Sequence, residues 1–122
     1  MKKAKRKIIR YKNLISSVIN WGHYLLRKIV GFNEAFEFHI KHFGKIRVPT
    51  EMLGPFRENF LDNIYFRYIP QSVFENVSNP YIIDVGANAG FFSLAVFAKF
   101  PSATIYSFEP HPYCFEVMEN YK

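Results

Sequence analysis

The chain has 122 residues, of which 49% are apolar and 19% aromatic. This composition excludes a disordered or fibrous protein, and the length fits one domain at most. The formal charge of +6 is uneven, because residues 1–30 hold nine basic and no acidic residues, whereas residues 31–122 hold seven basic and ten acidic ones. The asymmetry predicts a basic extension attached to an ordinary domain.

Cysteine content and apolar runs indicate where the protein resides. Cys114 is the single cysteine, so an intramolecular disulfide and a zinc site built from cysteines are excluded. No apolar run approaches the roughly 18 residues that span a bilayer. Arg10, Lys12 and Asn13 interrupt the stretch in which a secretory signal needs a continuous apolar core. We therefore expect a cytoplasmic protein in a reducing compartment.

Residues 1–31 form the first zone, a predicted basic and amphipathic helical extension. Its non-polar residues recur at steps of three and four, namely Ile8, Tyr11, Ile15, Val18, Gly22, Leu25 and Ile29. This period predicts a helix over 8–30. Two interpretations stay open, a peripheral contact of residues 1–30 with an anionic membrane surface and a solvated extension that packs on the domain. No base-reading motif is present, so no nucleic-acid partner is expected.

Residues 32–80 form the second zone, a predicted hairpin and helix that lead into the domain. Segments 36–42 and 45–48 alternate weakly about Gly44, which predicts two antiparallel strands. Further on, an apolar residue recurs at every fourth position, at Phe56, Phe60, Ile64 and Tyr68. This spacing predicts a helix over 56–68 that Pro70 ends.

Residues 81–122 form the third zone, which has the pattern of an α/β protein. The segments alternate as strand 81–85, glycine-rich loop 86–90, helix 91–100, strand 103–109 and helix 112–122. The first strand is almost continuously apolar and rich in β-branched residues, as expected for a strand buried on both faces. This order predicts the opening of a parallel, Rossmann-like sheet, with two parallel strands and their helices.

Two acidic residues flank the glycine-rich loop and suggest its ligand. Gly86 and Gly90 permit positive φ and close approach to the backbone, and unpaired loop amides suit a carboxylate or phosphate. Asp84 at the end of the first strand would repel a pyrophosphate but attract an ammonium group. Glu109 at the end of the second strand is placed to accept hydrogen bonds from ribose hydroxyls. An amino acid joined to a nucleoside describes S-adenosylmethionine.

Other interpretations of these residues stay open. The loop could be a strand-to-helix turn without a ligand. A nicotinamide dinucleotide site is disfavoured because Asn88 stands where the second glycine of its fingerprint belongs. His111 is expected to be a loop residue and not a general base. His39 and His42 would lie on opposite faces of a strand, so no metal site is expected.

Two sequence blocks carry a family resemblance. They are Asp-Val-Gly-Ala-Asn-Ala-Gly-Phe-Phe-Ser at 84–93 and Phe-Glu-Pro-His-Pro at 108–112, followed by Phe115. Together they resemble the two motifs of the FkbM family of S-adenosylmethionine-dependent methyltransferases. The resemblance is strong over 81–122 and negligible before about residue 35.

The resemblance implies a class I methyltransferase fold that methylates a hydroxyl oxygen of a sugar, glycolipid or natural product. It implies a methionine end lined by Asp84, Gly86, Ala87, Asn88 and Gly90. It also implies that Glu109 holds the ribose, with Pro110 and His111 near the adenine. No catalytic residue is assigned.

The chain departs from the family in the size of its sheet. A class I methyltransferase has about seven strands, whereas this sequence ends after the second strand of the sheet. We therefore expect a fragment that lacks the acceptor half, so the chain alone would be inactive. The alternative is a non-catalytic remnant whose basic helix binds a membrane surface or another subunit.

Overall fold

The computed structural model describes residues 3–73 and 75–121. The outer ends of the predicted zones 1–31 and 81–122, at residues 1, 2 and 122, lie outside the described residues, as does residue 74. The α-helices are α1 (Lys3–Ser17), α2 (Trp21–Val30), α3 (Leu53–Phe56), α4 (Phe91–Lys99) and α5 (Pro112–Glu119). The strands are β1 (Phe36–Ile40), β2 (Gly44–Val48), β3 (Tyr81–Val85) and β4 (Thr104–Phe108).

The predicted helix over 8–30 is wrong in one respect, because it is broken between α1 and α2. The amide of Ile19 donates to the carbonyl of His39 at 2.8 Å. The amide of Lys41 donates to the carbonyl of Ser17 at 2.9 Å. Residues 17–19 therefore pair with the open edge of β1, where strand hydrogen bonds replace helical ones. Periodicity could not show this break, because buried Val18 keeps the helical spacing.

The predicted hairpin is confirmed. β1 and β2 are antiparallel, with Phe36 opposite Val48 and Ile40 opposite Gly44. Alternate side chains of both strands are buried. The turn between the strands includes His42 at a φ of 64°, a left-handed conformation that histidine adopts more readily than β-branched residues do.

The predicted helix over 56–68 is wrong in length and form. α3 continues as a π-helical turn at Arg57–Leu61, and a separate 3-10 turn covers Tyr65–Arg67. Asn63 between them has a φ of 48°, which ends the helical path. The wide turn brings Phe60, Leu61 and the next residue, Asp62, into the interior together.

A cluster of aromatic rings joins the hairpin to the α/β unit. The ring centroid of Phe56 lies 4.2 Å from that of Phe38 on β1, 5.1 Å from that of Phe60 and 5.4 Å from that of Phe91 on α4. Offset and edge-on contacts between aromatic rings stabilise a core by more than the burial of their surface alone. The core therefore continues from the hairpin into the first turn of α4.

The strand, helix, strand, helix order of the third zone is confirmed. β3 and β4 are parallel, with Asp84 beside Ser107 and Val85 beside Phe108. The expectation that β3 is buried on both faces is wrong, because Ile83 and Val85 are largely exposed. One face of this sheet packs on α4, and among the described residues no second layer covers the other.

None of the described helices combines the length and apolar character that a bilayer-spanning segment needs.

Candidate functional site

The loop between β3 and α4 is closed by backbone hydrogen bonds. The amides of Gly86 and Ala87 both donate to the carbonyl of Phe108, at 2.9 and 3.0 Å. The amide of Gly90 donates to the carbonyl of Ala87 at 2.9 Å. Gly86, Asn88 and Gly90 all have positive φ, of 75°, 53° and 71°. This left-handed path explains the glycines, although Asn88 adopts the same conformation with a side chain.

Glu109 fixes the same loop from the end of β4. Its Oε2 accepts a hydrogen bond from the amide of Asn88, and its Oε1 accepts one from the amide of His111, both at 2.7 Å. The expectation of unpaired loop amides is therefore wrong at Gly86, Ala87, Asn88 and Gly90. Glu109 organises the loops that follow both strands, while its oxygens keep further lone pairs for a ligand.

Asp84 lies at the end of a chain of hydroxyl groups. The hydroxyl of Ser93 on α4 donates to Oδ2 of Asp84 at 2.7 Å, and the hydroxyl oxygens of Ser93 and Ser107 are 2.8 Å apart. Because the single Ser93 proton points at the carboxylate, Ser107 is the donor to Ser93. No described residue bonds the other oxygen, Oδ1. Asp84 is half-buried, so this oxygen can meet a cationic group.

The two serines were not predicted as site residues. The signal for Ser107 was its place as a polar residue inside an otherwise apolar strand, in register with Asp84. Ser93 carried a weaker signal, because one hydroxyl in the first turn of a helix is common.

A cleft of about 370 Å³ opens at the carboxyl end of β3. Its wall includes four of the predicted site residues, which are Asp84, Gly86, Ala87 and Asn88. Other lining residues are Asn59, Tyr65, Ile83, Val85, Phe91 and Phe92. Oδ1 of Asn59 is buried without a hydrogen-bond partner among the described residues. The structure thus adds a second zone of the chain to the cleft, which the sequence had not indicated.

The remaining predicted site residues lie around this cleft and do not line it. Glu109 reaches the cleft through the amide of Asn88. Pro110 and His111 are exposed on the loop after β4. Gly90 faces α5, where an added Cβ would lie 2.9 Å from Cγ of Met118. Gly90 therefore serves close helix packing in addition to its left-handed turn.

No group of three or more His, Cys, Asp or Glu side chains within 3–73 and 75–121 is placed to hold a metal ion.

Comparison with known proteins finds a partial similarity. The chain is similar to a methyltransferase. It is 41% identical over 63 residues to "Methyltransferase sdnD" of Sordaria araneosa, a match that covers 52% of this chain and 22% of that protein. The chain thus spans less than a quarter of the relative it matches. No protein-family model and no solved structure matches the chain, so the FkbM resemblance stays a prediction.

Proposed function

We propose that this chain forms the cofactor-binding end of an S-adenosylmethionine-dependent methyltransferase. The observation that carries the proposal is the placement of two carboxylates, Asp84 and Glu109, at the carboxyl ends of neighbouring parallel strands. Both flank the loop 86–88, which lines the cleft. Ligands of open parallel sheets bind at this edge. The similarity to a methyltransferase supports the same conclusion.

Each polar group has a role in this proposal. Oδ1 of Asp84 accepts a hydrogen bond from the ammonium group of the methionine moiety. The first turn of α4, which reaches the cleft at Phe91 and Phe92, faces its carboxylate with the positive end of the helix dipole. Glu109 accepts hydrogen bonds from the ribose hydroxyls, and Pro110 and His111 lie near the adenine.

The activity of the whole enzyme is part of the proposal. When bound, S-adenosylmethionine would supply an electrophilic methyl group: an oxygen–carbon bond to the acceptor would form as the carbon–sulfur bond breaks, S-adenosylhomocysteine would leave, and the hydroxyl proton would pass to solvent. The acceptor is a hydroxyl of a sugar, glycolipid or natural product, as the FkbM resemblance implies. We propose that residues outside these 122 bind this acceptor. The rate then depends on how the protein aligns the two reactants.

Calorimetric titration of the 122-residue chain with S-adenosylhomocysteine tests the proposal. Asp84→Asn and Glu109→Gln should each weaken binding by about tenfold or more, because each removes a charge-assisted hydrogen bond. Glu116→Gln is the matched control, since Glu116 is an exposed residue of α5 and its loss of charge should leave affinity unchanged. Thermal unfolding of each variant verifies that it is folded.

Two outcomes contradict the proposal. One is the absence of heat with a folded wild-type chain. The other is unchanged affinity in both Asp84→Asn and Glu109→Gln. A parallel titration with a nicotinamide dinucleotide addresses the other cofactor class, and tighter binding of that compound would reassign the cleft.

A further inference from the structure

The helix α1 packs on the rest of the chain through the fully buried Leu14 and through polar side chains. Arg10 donates from Nε to Oδ1 of Asp62 at 2.7 Å and from Nη2 to Oδ2 at 2.8 Å, while Arg6 donates from Nε to Oδ2 at 2.8 Å. Asn13 donates to the carbonyl of Leu61 at 2.7 Å. Asp62 is fully buried, so rolling the helix would leave an unpaired carboxylate in the core. These bonds fix which face of α1 points outward.

The outward face of α1 is apolar along its centre and basic along both sides. We call it the outer face, which consists of Ile8, Tyr11 and Ile15 with the flanking lysines Lys5, Lys7 and Lys12. Ile8 and Ile15 are 69% and 50% exposed, although aliphatic side chains of an amphipathic helix ordinarily face the core. Lys5 and Lys12 lie one helical turn from Ile8, and Lys7 lies one turn from Tyr11.

The helix α2 contacts the outer face through Lys28. The ammonium group of Lys28 lies 5.6 Å from the ring centroid of Tyr11, which joins the two helices at the outer face. Leu26 and Ile29 on α2 are also exposed. Neither helix contains an acidic residue, so no negative charge of their own opposes an anionic partner.

We propose that the outer face of α1 binds the surface of an anionic lipid bilayer. A helix with an apolar stripe between lysines lies in the plane of a membrane interface, with its aliphatic side chains at the acyl boundary and its ammonium groups at the lipid phosphates. Nucleic acid would use the lysines alone and leave Ile8 and Ile15 in water. The inference goes beyond the proposed cofactor site and does not depend on it.

Co-sedimentation of the 122-residue chain with vesicles tests this inference. Binding is expected to phosphatidylcholine vesicles that contain phosphatidylserine, to weaken with added salt, and to be slight without the anionic lipid. Lys5→Gln/Lys12→Gln should lower partitioning by about 25-fold, at about fivefold for each lysine. Ile8→Ser/Ile15→Ser should lower it by about tenfold.

The matched control is Val73→Ser/Val77→Ser, which removes two exposed aliphatic side chains that belong to neither α1 nor α2 and should bind vesicles as the wild type does. Unchanged unfolding midpoints show that the variants are folded. The proposal is overturned if the wild type ignores phosphatidylserine vesicles at low salt. It is also overturned if Ile8→Ser/Ile15→Ser binds them as well as the wild type does. Dissociation of a dimer by the same substitutions, seen by light scattering, would assign the face to a second copy instead.

Discussion

Asp62 is a buried charged residue that holds the basic extension against the core. Both carboxylate oxygens accept hydrogen bonds from arginine side chains of α1. Burial acts to raise the pKa of Asp62, but the hydrogen bonds from Arg10 and then Arg6 outweigh it, so the pKa lies below its ordinary value of 3.8. No motif in the sequence indicated this contact, because the residues that form it lie 52 or more positions apart in the chain.

Replacing Asp62 should destabilise the fold. Asp62→Asn removes the charge and leaves Arg10 facing a neutral amide, so we expect the free energy of unfolding in urea to fall by about 3 kcal/mol. Glu58→Gln is the matched control. Glu58 lies 3.7 Å from Arg6 in an exposed ion pair, and its loss should cost less than about 0.5 kcal/mol.

The same carboxylate gives the stability a pH dependence of known sign. Because the folded pKa of Asp62 is depressed, its contribution is complete above the unfolded value and is lost as the pH falls through the folded pKa. The wild type should therefore lose stability more steeply under acid than Asp62→Asn does, as measured by unfolding midpoints across the acid range. If the unfolding midpoints of the two proteins fall in parallel as the pH is lowered, the ionisation of Asp62 does not contribute to the acid dependence of stability.

The elements that the sequence predicts best are those whose residue pattern is set within a few neighbouring positions. Alternation and a glycine turn placed the hairpin β1–β2, and β-branched runs placed β3 and β4. The prediction of one helix over 8–30 failed because the backbone between α1 and α2 forms hydrogen bonds with the edge of β1 instead of helical ones. The helical period of the apolar residues continues through that break, so the sequence does not show it. The prediction of a regular helix over 56–68 failed at the π-helical turn of 57–61, after which Asp62 is buried against α1. Such a tertiary contact leaves no trace in the apolar period of the sequence.

Asn20 maintains the junction between α1 and α2. Its Nδ2 donates to the carbonyl of Glu37 at 2.8 Å, and its Oδ1 accepts from the amide of His39 at 2.9 Å. Asn20→Ala removes both hydrogen bonds and should lower the free energy of unfolding by about 2 kcal/mol. It should also speed hydrogen exchange at the His39 amide. Asn33→Ala, on the exposed loop after α2, is the control and should change neither measurement.

Across the whole molecule, the candidate site was predictable in its position and less so in its bonding. Strand ends of a parallel sheet lie together, so spacing alone placed Asp84 and Glu109 at one edge. The hydrogen bonds that Glu109 accepts from the amides of Asn88 and His111 depend on the left-handed loop conformation, which the sequence does not specify. The contribution of Asn59 and Tyr65 to the cleft depends on tertiary packing, including the contact of Tyr65 with Phe92 at 5.2 Å between ring centroids.

The sheet of β3 and β4 leaves an apolar face in solvent. Its exposed side chains are Tyr81, Ile83, Val85, Tyr106 and Phe108. Neither outer strand edge is paired within the part of the chain that the structure describes. Contiguous apolar surface and free strand edges favour association between molecules. We therefore expect the 122-residue chain to self-associate through this face at high concentration.

A pair of Tyr→Lys substitutions separates association through this face from a general effect of added charge on solubility. Tyr81→Lys removes an aromatic side chain from the contact, worth about 1.5 kcal/mol, so the association constant measured by sedimentation should fall by about tenfold. Tyr68→Lys makes the same change outside the sheet, at a side chain that is 86% exposed compared with 77% for Tyr81. It should leave association nearly unchanged. Equal effects of the two variants would mean that added charge alone limits association, because both raise the net charge by the same amount and only Tyr81 belongs to the sheet.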